Sequence, residues 1–307
     1  MDKLKYPVIL VQEYGLNVFR VAAIATILLN RFENTKLHLN TEVLDVKKLK
    51  EGFLIRYKFK DSIKEEKFDF LINSAGFESG RIDDSLKLKR ERFVEFKAAY
   101  VTKWDSKEEF WPEIIFHGER GTPRGMGQFT PYAGGYFQLH AMRKDVTLFD
   151  NGLIKNTPLS SQPKLPKSFI KKIEKEWRWS IVEDRTKKAI DHISNFIPSF
   201  KEAKVAAKPL YGAQQIPGDD ETLRAAEVSF EGEDYARCEI VKASSVFAMS
   251  DEIVKKLIES GKLNKDLYRK RDFKKFEVKE DEVDELAMKF AKERGYPPQM
   301  GLVINRA

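Results

Sequence analysis

The stretch "FDFLINSAGFESG", residues 68 to 80, carries the strongest indication of the fold. Its first half is apolar almost throughout, which is typical of a strand covered on both faces and therefore of a parallel or central position in a sheet. The strand then stops at Ser74, Ala75 and Gly76, which are small residues without a helix start. A glycine here allows the backbone to lie close to a bound nucleotide, although an ordinary turn glycine gives the same pattern. The surrounding segments decide between these two interpretations.

Hydrophobic periodicity predicts further elements on either side of this stretch. Apolar residues at helical spacing predict a helix over residues 18 to 31, and alternating residues after it predict two strands joined by a turn at residues 50 to 52. Short β-like runs broken by glycine and proline over residues 93 to 146 predict an antiparallel sheet. The remaining predicted elements are an amphipathic helical region at 166–196, a strand leading into a loop at 204–220, a strand, small-residue turn and helix at 236–261, and a short helix at about 283–292.

The composition is that of a globular protein with room for two domains, or for one large domain with an inserted lobe. Of its 307 residues, 42% are hydrophobic and 34% are charged. The net charge is +7, and the basic residues are interleaved with acidic ones, as in residues 171 to 188. This pattern indicates solvated helix faces. A nucleic-acid-binding protein more often segregates its lysines and arginines, so we do not expect nucleic acid as a partner. A mild attraction to an anionic membrane surface stays open.

The cysteine and histidine content limits which disulfides and metal sites we expect in this protein. Cys238 is the only cysteine, which excludes an intramolecular disulfide and indicates a reducing compartment. The four histidines include no i,i+4 pair, so we do not expect a metal site. The longest apolar run, residues 21 to 29, is too short to span a bilayer and is interpreted as a buried helix, without a secretion signal. These features predict a cytoplasmic protein.

The motifs G-x-G-x-x-G, G-x-x-x-x-G-K-[ST], H-E-x-x-H and G-x-S-x-G are missing from the sequence. Four segments in order nevertheless resemble the FAD-dependent oxidoreductases that include D-amino-acid oxidase, sarcosine oxidase and glycerol-3-phosphate dehydrogenase. "EYGLNVFRVAAIATILL" (13–29) resembles the helix before that family's adenine-side strand, and "KLHLNTEVLDVKK" (36–48) resembles the strand itself. Ser74-Ala75-Gly76 matches the end of the second nucleotide motif, and residues 197–220 resemble the segment that closes the substrate lobe.

Within that family, residues 94–104, 116–142 and 211–230 are most similar to malate:quinone oxidoreductase-like proteins. The family resemblance implies a flavin enzyme that moves a hydride from a substrate C–H bond to FAD. The closer resemblance implies oxidation of a 2-hydroxy acid, malate to oxaloacetate, with a quinone as electron acceptor and peripheral contact with the inner face of the cytoplasmic membrane. The alternatives are an amino-acid- or 2-hydroxyglutarate-oxidising enzyme of the same fold, and a truncated, catalytically inactive remnant that acts as a binding module.

The resemblance also implies a domain plan. The expected fold class is α/β (α+β), an incomplete FAD-binding Rossmann-like domain with an inserted antiparallel-sheet substrate domain. That family's first βαβ unit, with its glycine cradle for the pyrophosphate, has no counterpart in this sequence. Flavin binding by this chain alone is therefore open, and an N-terminal half on a separate chain is one explanation. The predicted parts are residues 1–86 and 206–261 for the FAD-binding domain, 87–205 for the substrate domain and 262–307 for a charged, partly helical tail.

Oxidation of an alcohol by a flavin requires a base for the hydroxyl proton and cations for the substrate carboxylates. Histidine suits the first task because its pKa lies near neutrality, so His140 and, as second choice, His117 are the predicted catalytic residues. Arginine suits the second because its guanidinium binds a carboxylate at two points. The predicted substrate-binding residues are Arg120, Arg124, Gln128, Thr130, Tyr136, Gln138 and Arg237. The cofactor contacts implied by the resemblance are Val43, Ser74, Ala75, Gly76, Gly212, Ser244 and Ser245.

Overall fold

The computed structural model describes residues 7–11, 15–108, 110–223, 227–239, 243–268 and 271–304. Its helices are α1 (Val18–Arg31), α2 (Ser79–Ser85), α3 (Lys167–Glu174), α4 (Trp179–Ser194), α5 (Val246–Glu259) and α6 (Glu280–Glu293). Its strands are β1 (Thr41–Lys48), β2 (Phe53–Phe59), β3 (Ser62–Phe68), β4 (Leu71–Asn73), β5 (Arg92–Lys103), β6 (Ile114–Phe116), β7 (Gly127–Tyr132), β8 (Tyr136–Ala141), β9 (Leu153–Lys155), β10 (Lys204–Pro217), β11 (Glu227–Glu231) and β12 (Tyr235–Glu239). Among these residues no helix combines the length and apolar character needed to cross a bilayer.

Helix α1 has the bounds that the sequence predicts, because its start and its buried face are both encoded locally. The side-chain oxygen of Asn17 accepts hydrogen bonds from the backbone N–H groups of Phe19 and Arg20, which caps the first turn. Phe19, Ala23 and Ile27 recur every fourth residue and are buried against α6. The segment after residue 262, expected as a tail, therefore contributes a helix to the core through this contact.

Strands β1, β2 and β3 form an antiparallel meander in that order. The first two are predicted, although β1 begins only at Thr41. The third is not predicted, because all its residues are exposed and show no apolar alternation. Gly52 closes the β1–β2 turn with φ of +72°, and a Cβ there would collide with the carbonyl oxygen of Phe68.

The predicted antiparallel sheet is confirmed, with strand order β10–β5–β8–β7–β6 and β9 also paired with β5. One face packs on α4 and carries the largest core, which includes Tyr100, Phe129, Leu139 and Ile193. The helical region predicted at 166–196 is two helices, because the backbone turns at Lys175 between α3 and α4. The α/β fold class with an antiparallel-sheet domain is confirmed by these elements.

Strands β11, β12 and β4 form a third sheet, in which β4 and β12 run parallel with Asn73 opposite Arg237. The parallel position predicted for the opening stretch is thus confirmed. The predicted length of this strand is wrong, because β4 is limited to Leu71–Asn73 and lies at the edge of the described sheet. The expectation that no helix follows is also wrong, because a 3₁₀ turn begins at Gly76 and leads directly into α2.

A buried network of ion pairs joins this parallel pair to the large sheet. Asp83 on α2 accepts hydrogen bonds from Arg92 on β5 at 2.6 Å and from Nε of Arg237 on β12 at 2.9 Å. Glu239 accepts from Arg92 at 2.9 Å and from Arg90 at 2.8 Å. Charged groups enclosed in this way need partners, because an unpaired charge in the interior costs several kcal/mol, roughly 3 to 5 for a broken buried pair.

The position of Arg237 corrects its predicted role in substrate binding. Its side chain is 1% exposed, and its guanidinium contacts Asp83 and the hydroxyl of Ser229. Because Arg237 is committed to these buried partners, the structure gives it a stabilising role in place of a substrate contact.

Candidate functional site

The first part of the candidate site is the edge of the third sheet at which β4 and β12 both end. The turn at Ser74, Ala75 and Gly76 follows β4 directly, and Ser244 and Ser245 come after the parallel strand β12 in the chain. Both groups precede helices, α2 and α5. In open α/β sheets ligands bind at the edge where parallel strands end, so both groups of predicted cofactor residues come after strands that end at such an edge.

The exposure of this edge suits a close approach by a ligand. Ser74, Ala75, Gly76 and Ser244 are exposed, and Ser245 is half-buried. Gly76 has φ of +59°, a left-handed conformation that favours glycine, and a Cβ there would meet no atom within 4 Å. Glycine is therefore favoured by the backbone, while the space beside it is open.

Asn73, which the sequence did not single out, holds this turn in shape. Its Oδ1 accepts from the backbone N–H of Ala75 at 3.2 Å, and its Nδ2 donates to the carbonyl of Ser79 at 2.9 Å. The same Nδ2 donates to the hydroxyl of Tyr235 at 2.8 Å, and that hydroxyl donates to Asp83. The turn is thus fixed to the buried ion network.

The second part is the polar face of the large sheet, opposite the main core. Cross-strand register places Gln128 opposite His140 and Thr130 opposite Gln138, so their side chains share one face. The predicted common face of Tyr136, Gln138 and His140 is confirmed by the period of two along β8. Helices α1 and α6 cover the part of this face around Val101, Tyr132 and Ala207.

A charged group that was not among the predicted site residues lies on the same face as His140. Glu95 on β5 is 3% exposed and is bound by Lys97, with Nζ to Oε2 at 2.9 Å, and by Arg120 from the loop after β6. Lys97 also donates to Oε1 of Gln214 on β10 at 3.1 Å. The signal was present in "VEFKAAY", because alternation puts Glu95 and Lys97 on the face opposite Phe96 and Ala98.

Neighbouring amides and hydroxyls extend this polar face. Gln128 donates to Glu113 at 2.7 Å and to the hydroxyl of Thr130 at 3.3 Å. The hydroxyl of Tyr132 donates to Oε1 of Gln138 at 3.2 Å, and burial, followed by the charge of Glu113, raises the pKa of Tyr132 to about 12. Tyr132 therefore remains a neutral hydrogen-bond donor over the physiological range.

His140 is neutral in this environment. Burial, reinforced by the positive charge of Lys97, lowers the pKa of His140 to about 4. Its Nδ1 is enclosed and finds no hydrogen-bond partner among the described residues. Such an imidazole can accept a proton, but it becomes a stronger base only if an anion offsets the charge of Lys97.

Two adjacent glutamines connect the two parts of the site. Gln214 faces Lys97 on the polar face, while Nε2 of Gln215 donates to the backbone carbonyl of Cys238 on β12 at 3.1 Å. Gly212 lies two residues earlier on β10, opposite Lys97, and is exposed. Strand β10 therefore contacts the polar face through Gln214 and contacts β12, which ends at the parallel edge, through Gln215.

The other predicted residues lie further from this arrangement. His117 and Arg124 are exposed in the loop that also supplies Arg120. Val43 is 39% exposed on β1. Its neighbour Glu42 lies 3.9 Å from Arg81 of α2, so the meander lies beside the helix that follows Gly76.

No family model and no curated protein matches the chain. Among solved structures it is similar to glycerol-3-phosphate dehydrogenase from Bacillus halodurans complexed with FAD, at 14% identity and a TM-score of 0.49 over 73% of this chain and 39% of that one. It is also similar to glycine oxidase from Geobacillus kaustophilus, at 11% identity and a TM-score of 0.43 over 78% and 52% of the two chains. L-proline dehydrogenase from P. horikoshii matches at 15% identity and a TM-score of 0.44 over 75% and 52%. The chain spans about half the length of such structures, from 39% to 57%.

The depressed pKa of His140 predicts a pH-dependent contribution to stability. Between pH 6.5 and about 4 the unfolded chain binds a proton on this histidine and the folded chain does not, so stability falls as the pH falls through this window. In His140→Gln this contribution is absent, and the free energy of urea unfolding should fall less steeply with falling pH than in the parent protein. The exposed His117→Gln is the control for loss of a histidine, and parallel curves for His140→Gln and the parent would contradict the assignment.

Proposed function

We propose that this protein is an FAD-dependent oxidoreductase that oxidises a small 2-hydroxy acid, with malate as substrate and a quinone as electron acceptor. The observation that carries the proposal is the connection through Gln214 and Gln215. It joins the edge where two parallel strands end to a polar sheet face with a half-buried histidine and cationic groups. The order of motifs that resembles the D-amino-acid oxidase type of flavoprotein supports the same assignment.

The residues at the parallel edge fit a flavin nucleotide. Open space beside Gly76 and the exposed small residues around it allow close approach of a planar or phosphorylated group. When bound, FAD supplies the hydride acceptor. The residues proposed to hold it are Val43, Ser74, Ala75, Gly76, Gly212, Ser244 and Ser245.

The polar face fits a carboxylate-bearing substrate. The side chain of Arg120 is 41% exposed even though it contacts Glu95, and Lys97 adds a second cation beside the same carboxylate. A carboxylate bound there would offset the charge that lowers the pKa of His140, and would make the imidazole a better acceptor for the substrate hydroxyl proton. Gln128, Thr130, Tyr136 and Gln138 are proposed as hydrogen-bonding partners, with His117 and Arg124 as further contacts from the loop.

Amino-acid oxidation is a second candidate, and one observation favours it. Glu95 and Glu113 balance the charges of Lys97 and Arg120, so the face has no excess positive charge for a dianion such as malate. A zwitterion, with an ammonium and a carboxylate, matches such a balanced pair of charges more closely.

A quinone acceptor would place the protein in the cytoplasm at the inner face of the membrane. The net charge of +7 supports attraction to an anionic lipid surface. An N-terminal half on a separate chain is part of the same proposal, as a partner that would supply the glycine cradle for the diphosphate. The competing proposal is a catalytically inactive binding module.

Flavin binding tests the proposal directly. In Gly76→Val a branched side chain occupies the open space beside the turn and strains its left-handed backbone, so the Kd for FAD, measured by quenching of flavin fluorescence, should rise roughly tenfold or more. Gly232→Val is the matched control. Gly232 also has positive φ and open space around it, but it lies in the turn before β12, at the opposite edge of the sheet.

The titration is made with the chain alone and again with a polypeptide that carries a G-x-G-x-x-G unit. Equal affinities for the two valine variants would contradict a flavin site at Gly76. Failure of the parent protein to bind FAD in both settings would favour the inactive binding module.

Glu95→Gln separates the two substrate classes. The substitution keeps the side-chain shape but removes a negative charge, so the polar face gains affinity for a dianion and loses the counter-charge for an ammonium group. The ratio of kcat/KM for malate to kcat/KM for a neutral amino acid should rise by roughly tenfold or more, measured by anaerobic flavin reduction. Glu119→Gln in the neighbouring loop is the control, and an unchanged ratio for Glu95→Gln would remove Glu95 from the substrate site.

A further inference from the structure

An open cavity at the surface lies on the other side of the large sheet, between α3, α4 and the turn before β9. Its volume is about 420 Å³, which is within the size range of small-molecule sites. It is separated from the polar face by the main core, to which Phe149 and Trp177 belong as partly buried members. The side chains that line it are Phe149, Lys172, Ser180, Ile181, Asp184 and Arg185.

Two basic side chains line this cavity and a third is close to it, and among the described residues none of them pairs with a carboxylate. Lys172 and Arg185 line it, and Arg178 precedes α4 close enough to act on Lys172. Nζ of Lys172 donates only to the carbonyl of Ser168, at 3.3 Å, and Arg185 donates to backbone carbonyls, with Val146 at 2.6 Å. Within the described residues none of the three forms an ion pair with Asp or Glu.

The charges at the cavity repel one another. Burial, followed by the charges of Arg185 and Arg178, lowers the pKa of Lys172. Asp184 also lines the cavity, but its Oδ2 accepts from Lys188 at 2.7 Å and is therefore paired elsewhere. An unpaired half-buried ammonium beside two guanidinium groups is a costly arrangement that an anion would relieve.

The start of α4 adds to this preference. This helix of 16 residues has no acidic residue in its first turn and no side-chain cap on its N-terminal N–H groups. Its positive end, with Ser180 at the wall of the cavity, favours negative charge at the same place as the three cations.

We propose that this cavity binds a phosphate group, either as inorganic phosphate or as the phosphate of a small monoester. A phosphate offers several acceptor oxygens and close to two negative charges at neutral pH, which matches Lys172 and Arg178 together with the N-terminal end of α4 and the hydroxyl of Ser180. Arg185 completes the positive field while its guanidinium stacks over Phe149, with its central carbon 3.9 Å from the ring centroid. The site is separate from the proposed flavin site.

Calorimetric titration of the full chain at fixed ionic strength tests this site. Inorganic phosphate and glycerol 2-phosphate are the two probes, and acetate is the comparison. Saturable phosphate binding should weaken by roughly tenfold or more in Lys172→Gln. Lys187→Gln also removes one positive charge, from an exposed position on α4 that pairs with Glu183. This control variant should bind phosphate like the parent protein.

The outcomes distinguish this site from others. Tighter binding of glycerol 2-phosphate than of inorganic phosphate identifies a monoester as the ligand, and the reverse order identifies the free anion. Unchanged binding in Gly76→Val confirms that the phosphate does not occupy the flavin site. If Lys172→Gln fails to fold, exposed Arg178→Gln provides the same test. Heat that does not saturate, or saturable binding unaffected by either substitution, would overturn the proposal.

Discussion

The contact on which the candidate site depends is the pairing of the buried Asp83 carboxylate with two arginines from different sheets. Arg92 comes from β5 and Arg237 from β12, and neither side chain is more than 1% exposed. Glu239 pairs with Arg92 as well, so the fully buried part of the network holds two cations, Arg92 and Arg237, and two anions, Asp83 and Glu239. Such a group tolerates burial because its charges balance, and for the same reason it cannot lose one member cheaply.

This network determines where the two parts of the site lie relative to each other. Asp83 belongs to the helix that follows Gly76, and through Tyr235 and Asn73 it fixes the turn at the parallel edge. Arg92 on β5 belongs to this network, and it lies only three residues before Glu95, which belongs to the polar face. Movement of the large sheet relative to the parallel pair would therefore break buried ion pairs.

Local sequence signals predict the elements, and they predict the site where strand alternation is sufficient. Helix α1 follows from the Asn17 cap and a regular apolar repeat, and the common face of Gln138 and His140 follows from the period of two along β8. Strand β3 has no such signal, because its residues are exposed and mostly charged and show no apolar alternation, although their backbones pair with β2.

The buried network cannot be predicted from local sequence signals. Arg237 and Asp83 are 154 residues apart in the chain, and nothing near Arg237 distinguishes a buried structural arginine from a substrate ligand. Likewise, the neutrality of His140 depends on burial and on Lys97 from another strand, so the sequence could suggest a histidine base but not its pKa. Glu95 and Lys97 could have been predicted from the sequence, because alternation alone places both on the polar face of β5.

The free energy of unfolding of Asp83→Asn tests whether the buried network holds the two parts of the site together. The substitution leaves Arg92 and Arg237 with excess positive charge in the interior, and we expect a loss of about 3 to 5 kcal/mol in urea unfolding. Glu231→Gln is the matched control, because Glu231 lies 3.5 Å from the same Arg237 but is 43% exposed, and it should cost less than about 1 kcal/mol. Equal, small losses in the two variants would contradict the claim that this network holds the two parts of the site together.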